Sequence, residues 1–150
     1  EINIEHVGST SVQGMSAKSI IDIDIVYMKS EAFESIKKSL GAIGYYHNGN
    51  QEIEGREVFK RISNSGHAVL DRISHHLYVC HKENAELRRH LLFRDHLRSN
   101  ENARNQYKKI KLDLAVKANQ DKKTYALLKE EAAADFIKQC IENEEKENGK

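Results

Sequence analysis

Asp22 and Asp24 stand two residues apart inside the apolar run Ile20-Ile21-Asp22-Ile23-Asp24-Ile25-Val26. The run is β-branched on either side of the acids and predicts a buried strand. Side chains alternate along a strand, so Ile21, Ile23 and Ile25 share one face and the two carboxylates share the other. Their Cα atoms are then roughly 6.6 Å apart. Two such carboxylates repel each other, and burying them unpaired is costly unless one takes up a proton. A divalent cation between them removes that cost, and hard oxygen ligands suit Mg²⁺ or Mn²⁺. The plainer alternative is a partly exposed edge strand with two solvated acids.

Upstream, Ile2-Asn3-Ile4-Glu5-His6-Val7 alternates apolar and polar residues and predicts a short strand running into a turn at Gly8-Ser9. Gly8 lets the backbone approach an anion, and the Ser9 and Thr10 hydroxyls with nearby N–H groups can cradle a phosphate. A bare Gly-Ser pair is more often an ordinary turn. The combination is narrower: strand, Gly-Ser, short excursion, then a strand carrying Asp-apolar-Asp.

This combination resembles the signature of the DNA polymerase beta-like nucleotidyltransferase superfamily. The likeness implies that Gly8 and Ser9 hold nucleotide phosphates and that Asp22 and Asp24 hold metal. His6-Val7-Gly8-Ser9-Thr10-Ser11-Val12-Gln13-Gly14, Ala17-Lys18 and Ile20-Ile21-Asp22-Ile23 further resemble the opening motif of the GrpB family. Its members are small standalone bacterial proteins or domains fused to dephospho-coenzyme A kinase. Gly55-Arg56, Phe59-Lys60, His76-Leu77, Phe93-Arg94-Asp95-His96-Leu97-Arg98, Tyr107 with Lys111, and Tyr125 with Lys129 extend the likeness over nearly the whole chain. Gln13 and Ser19 stand where the family usually carries proline, and Tyr78 where it tends to show histidine. The chain has no proline at all. That loss raises unfolded-chain entropy but removes no chemical group. The family also implies a helical segment before Glu1, so these residues are expected to be part of a longer product.

The cations sort by position. Arg56, Lys60 and Arg61 lie on or beside a predicted hairpin next to the Asp strand. Lys60 and Ile62 share one face, Phe59 and Arg61 the other. If Phe59 is core, Arg61 is structural; if Lys60 faces the cleft, it can meet a phosphate. Lys18 can reach the Ser9 loop or the Asp pair, or be a plain surface lysine. Arg94 and Arg98 are an i,i+4 pair able to clamp an anion or to form structural salt bridges. Tyr107 and Tyr125 are read as helix-packing residues, which leaves Lys111 and Lys129 able to project toward the cleft.

His76 precedes Leu77-Tyr78-Val79-Cys80, where Leu77 and Val79 suit the core. That puts His76, Tyr78 and Cys80 on the opposite face, the candidate Asp face. The superfamily likeness implies a third carboxylate on a neighbouring strand, and Ser74 to Cys80 contains none. His76 can take that place as base or ligand, its ordinary titration range suiting proton transfer at neutral pH, or it can be a satisfied structural histidine. His6, His67 and His81 show no metal-like spacing with it and read as incidental.

Composition sets limits. Charged residues make up 31% with net charge +1, a mixed surface that argues against long nucleic acid as a partner. Cys80 and Cys140 are unpatterned, which points to a cytoplasmic setting and ordinary packing. No run reaches the length of a membrane span.

The elements that must position these groups form one α+β domain over 1–150: a sheet half at about 1–82 and a helical half at about 83–146. Glu31 to Leu40 predicts a helix with Ser30 as N-cap. Tyr45-Tyr46, Val58 to Ile62 and Ser74 to Cys80 predict strands. Helical spacing begins at Glu83, breaks at Ser99-Asn100, resumes with Tyr107, Ile110 and Leu114, and restarts at Asn119 or Asp121 with Tyr125, Leu128, Ala132 and Phe136. The Glu/Lys-rich end after Ile141 predicts a frayed, solvated tail.

Three functions fit. The first is transfer of a nucleoside monophosphate from an NTP to a small acceptor, with Mg²⁺ or Mn²⁺ at Asp22 and Asp24 and His76 as base. The second is a phosphate-binding module without chemistry, for nucleotide or a coenzyme A-type ligand. The third is a helical scaffold for a protein partner.

Overall fold

The computed structural model describes residues 1–15, 19–119 and 121–149. These form two compact units: a sheet unit from the described residues of 1–11 and 17–90, and a helical unit from those of 12–16 and 91–150. Together they are an α+β fold.

The sheet unit holds five strands: β1 (Ile2–Val7), β2 (Ile21–Tyr27), β3 (Tyr45–His47), β4 (Arg56–Arg61) and β5 (His75–His81). Their order is β1-β2-β5-β4-β3, with β2 and β5 parallel and every other pair antiparallel. Helix α1 (Ala32–Ala42) covers one face. There Ile25, Leu77, Val79, Phe59 and Tyr45 form a core with Ile36 and Leu40 of the helix, and Phe33 packs against it. The opposite face carries Asp22 and Asp24, because alternation sends their side chains away from Ile23 and Ile25.

Two expectations are corrected here. Ser30 does not cap α1; the N-cap is Glu31, in α conformation with no side-chain capping bond. Backbone turn bonds, including Ala32 N–H to Lys29 O at 2.9 Å, start the helix instead. The fourth strand begins at Arg56 rather than Val58, which brings Arg56 into the ladder opposite Cys80.

Helix α2 (Ala85–Ser99) begins in the sheet unit and ends in the helical unit. Asn84 Oδ1 accepts from Leu87 N–H and caps it. The helical unit continues with α3 (Glu101–Lys117) and α4 (Lys122–Asn148), capped by Asn100 and Asp121. Tyr107 stacks on Phe136 at 5.8 Å between ring centres and meets Phe93 edge-on, confirming the packing role of Tyr107. On α4 Ala133, Cys140 and Glu144 are buried, and Tyr125, Leu128 and Phe136 of the predicted stripe are partly buried, while Ala132 is exposed and Ala133 takes its place in the core. Nor does the chain fray after Ile141. The helix runs on to Asn148, and Glu144 is buried with Oε2 3.3 Å from His96 Nδ1. The charged segment is thus helical, with one of its acids buried against His96.

Candidate functional site

The turn after β1 sets the first part of the site. Gly8 adopts φ +73°, a left-handed conformation that favours glycine. A Cβ at this position would stand 2.5 Å from Asp22 Oδ2, so the loop backbone closes directly onto that carboxylate. Ser9 to Ser11 form a single 3₁₀ turn, held by Ser11 N–H to Gly8 O at 3.1 Å and by the Ser11 hydroxyl to the same oxygen at 2.6 Å. His6 Nε2 lies 2.8 Å from Thr10 Oγ1 and ties the turn to the strand. His6, read as incidental from sequence, therefore braces the loop, and Thr10 spends its hydroxyl on it.

The parallel pairing of β2 with β5 sets the second part. It places Asp22 beside His76 and Asp24 beside Tyr78. His76 Nδ1 is 2.8 Å from Asp22 Oδ1. An ionised carboxylate only accepts, so Nδ1 donates, and in the neutral ring Nε2 is then the acceptor nitrogen. The imidazole is 55% exposed, and the Asp22 side chain 32%.

Asp24 is fully buried, and its Oδ1 lies 3.3 Å from Arg56 Nη2, itself nearly buried. The guanidinium also lies over the Tyr78 ring, 3.4 Å from its centre. Tyr78, the departure from the family pattern, thus supplies an aromatic face for the cation. Burial raises the Tyr78 phenol above its ordinary range against the lowering influence of Arg56. Burial also pushes the Cys80 thiol up to about 12, with the Asp24 charge adding to it.

Of the sequence candidates, Gly8, Asp22, Asp24, Arg56 and His76 come together on this face. The parity of β4 explains why: Phe59 is core, which turns Arg56 and Val58 toward the Asp face. Lys60 is exposed and, with His76 and Tyr78, borders an open groove of about 720 Å³ along β4 and β5. Arg61 takes the structural reading, with Nε donating to Asp71 Oδ1 at 2.9 Å and the guanidinium over Tyr45. Lys18 lies outside the described residues. Arg94, Lys111 and Lys129 belong to the helical unit. There Arg94 Nε donates to Asp95 at 2.7 Å, Lys111 Nζ sits 5.6 Å from the centre of the Tyr107 ring, and Lys129 is half-buried on α4.

Two acidic or basic neighbours were not singled out from sequence. Glu5 on β1 is in register with Asp24. His90 on α2 places Nδ1 3.7 Å from Asp24 Oδ2. The available signal for His90 was its i,i+4 spacing from Glu86, which also suits an ordinary helix surface. Asp24 Oδ2 is buried without a hydrogen-bond partner, and such an atom fits a cation. Among the described residues no three His, Cys, Asp or Glu side chains converge as a preformed metal cage. A cation here would therefore take part of its shell from water or ligand oxygens, as Mg²⁺ and Mn²⁺ commonly do.

Among the described residues no helix is long and apolar enough to cross a membrane. The chain is 34% identical over 142 residues to the UPF0157 protein YqkA of Bacillus subtilis, covering 95% of this chain and 38% of YqkA. It is 31% identical over 124 residues to the glutamate-rich protein GrpB of Alkalihalophilus pseudofirmus, covering 82% of this chain and 70% of that protein. A crystal structure of the conserved protein GrpB from Enterococcus faecalis matches with a TM-score of 0.72 and 27% identity, over 99% of this chain and 82% of that one. The family described as GrpB protein matches residues 2–142. A five-stranded mixed sheet with Gly8 against Asp22, and a family match over almost its full length, lead to one conclusion: the chain belongs to the GrpB family.

Proposed function

We propose that the sheet unit binds an NTP with Mg²⁺ or Mn²⁺ and transfers its nucleoside monophosphate to the hydroxyl of a small acceptor. The observation that carries this reading is the double engagement of Asp22: Oδ2 faces the Gly8 turn and Oδ1 holds His76. One carboxylate thereby links a phosphate-binding loop to a candidate base.

Gly8 and the Ser9 hydroxyl bind the β- and γ-phosphates, and Lys60 offsets charge from the groove side. The carboxylates of Asp22 and Asp24 are the groups that would hold the cation, which supplies charge neutralisation of the triphosphate. His76 Nε2 takes the proton from the acceptor hydroxyl as that oxygen forms a bond to the α-phosphorus. The bond from the α-phosphorus to the bridging oxygen breaks, and pyrophosphate leaves. The groove beside His76 offers the acceptor a place within reach of the base.

A second reading has its own support. Arg56 already matches the charge of Asp24, and β5 carries no carboxylate, so the same face can bind a nucleotide or coenzyme A-type phosphate without turnover. Pyrophosphate release, measured across alcohol, sugar and protein acceptors beside a binding assay, separates the two. Release that requires His76 supports transfer. Binding without release over the whole panel supports the binding module.

A further inference from the structure

Three buried side-chain atoms among the described residues have no hydrogen-bond partner: Asp24 Oδ2, Arg56 Nε and His90 Nδ1. They belong to one neighbourhood. Arg56 occupies Oδ1 of Asp24, and His90 approaches Oδ2 from α2. The 3.7 Å between Asp24 Oδ2 and His90 Nδ1 is too long for a hydrogen bond. It suits two ligands of one ion, since metal–oxygen and metal–nitrogen bonds of roughly 2.0–2.2 Å place neighbouring ligands roughly 3–4 Å apart.

The other ring nitrogen strengthens the case. His90 Nε2 lies 4.0 Å from Glu86 Oε2, one helical turn earlier. Ligating histidines commonly direct their second nitrogen to a carboxylate, which fixes the ring and raises its basicity. From these contacts we infer that His90 is a protein ligand of the divalent cation on Asp24, with Glu86 in ion-pair range of its second nitrogen and not hydrogen-bonded to it, an inference that rests on the cation of the proposed function. The nitrogen stands in for the third carboxylate that β5 lacks. A site of carboxylate oxygen plus imidazole favours Mn²⁺ over Mg²⁺, because nitrogen donors suit the softer ion. Arg56 Nε–H remains available to a water or phosphate oxygen of the same shell.

The test is pulsed electron paramagnetic resonance of the full chain loaded with Mn²⁺ alone, beside calorimetric Mn²⁺ titration. The expected spectrum shows ¹⁴N coupling from a directly bound imidazole. That coupling is lost in both His90→Ala and His90→Gln and kept in His76→Ala. Glu86→Gln keeps the coupling but weakens Mn²⁺ by about tenfold or more. Mn²⁺ bound to wild type without ¹⁴N coupling overturns the inference while leaving the proposed cation site standing. Coupling that survives in His90→Gln, or vanishes in His76→Ala instead, assigns the nitrogen elsewhere and also overturns it. Wild type that binds no Mn²⁺ alone overturns the inference and leaves His90 as an ion-pair partner of Asp24, while the cation of the proposed function is decided by titration with nucleotide present.

Discussion

His76 Nδ1 lies 2.8 Å from Asp22 Oδ1, although the two residues are 54 positions apart in the chain. Parallel neighbours β2 and β5 put them in register. The contact fixes the ring tautomer and leaves Nε2 to accept a proton, the geometry expected of an oriented base.

His76→Ala is expected to keep NTP affinity and lose about 10²–10⁴-fold of turnover, the usual worth of general-base assistance. Pyrophosphate release under saturating NTP reads the turnover, and calorimetry reads the affinity. Turnover unchanged in the variant removes His76 as base.

Gly8→Val places a β-branched side chain at φ +73° and against Asp22 Oδ2. The backbone strain alone costs about 1–3 kcal/mol, and the added bulk fills the approach between loop and carboxylate. Reduced stability in urea together with lost NTP binding is expected. Ser9→Ala is milder, weakening NTP by about 0.5–1.5 kcal/mol, one ordinary hydrogen bond. If Gly8→Val folds and binds NTP as wild type does, the turn is not a phosphate loop.

Arg56→Met leaves Asp24 buried without its cation and is expected to destabilise the fold by about 3–5 kcal/mol. Adding Asp24→Asn removes the unpaired charge and should restore part of that loss. Urea unfolding of the two single variants and the double variant measures the coupling; additive losses would mean that the pair is not a unit.

Cys80 is buried in the Asp face with its thiol pushed up to about 12. Below pH about 9 the folded and unfolded chains both keep this proton and the full stability is present. As pH rises further, the unfolded chain releases it first and stability falls until the folded pKa is reached. Native Cys80 should therefore resist iodoacetamide at pH 8 and label only on unfolding. Rapid labelling of the native protein would contradict the burial.

The Asp strand was legible because β-branched alternation around Asp22 and Asp24 specifies both a strand and its faces. Phe59 was informative too: once it is core, strand parity turns Lys60 to the opposite face, whereas Arg56 joins that face only because the strand starts two residues before the point its pattern marks. The Asp22–His76 contact was half legible. Sequence put both residues on one face, but the register that joins them belongs to the β2–β5 ladder and to no local pattern. His90 was not legible, because its role depends on how α2 is rotated about its own axis. The start of α1 and the end of α4 were misread for a similar reason. Ser30 resembles a cap, yet backbone turns begin the helix; Glu144 resembles a solvated acid, yet His96 buries it.

The most direct measurement of the central claim is calorimetric titration of ATP and GTP into the full chain, with Mn²⁺ and then with EDTA, in wild type and Asp22→Asn. Asp22→Asn leaves the buried Asp24–Arg56 pair intact, so lost binding is not lost folding. The account predicts nucleotide binding with Mn²⁺ that weakens by roughly tenfold or more in EDTA and in Asp22→Asn, because phosphate and carboxylate oxygens share the ion. Binding of equal strength in EDTA and in the variant, or no binding of either nucleotide with Mn²⁺ present, would contradict it.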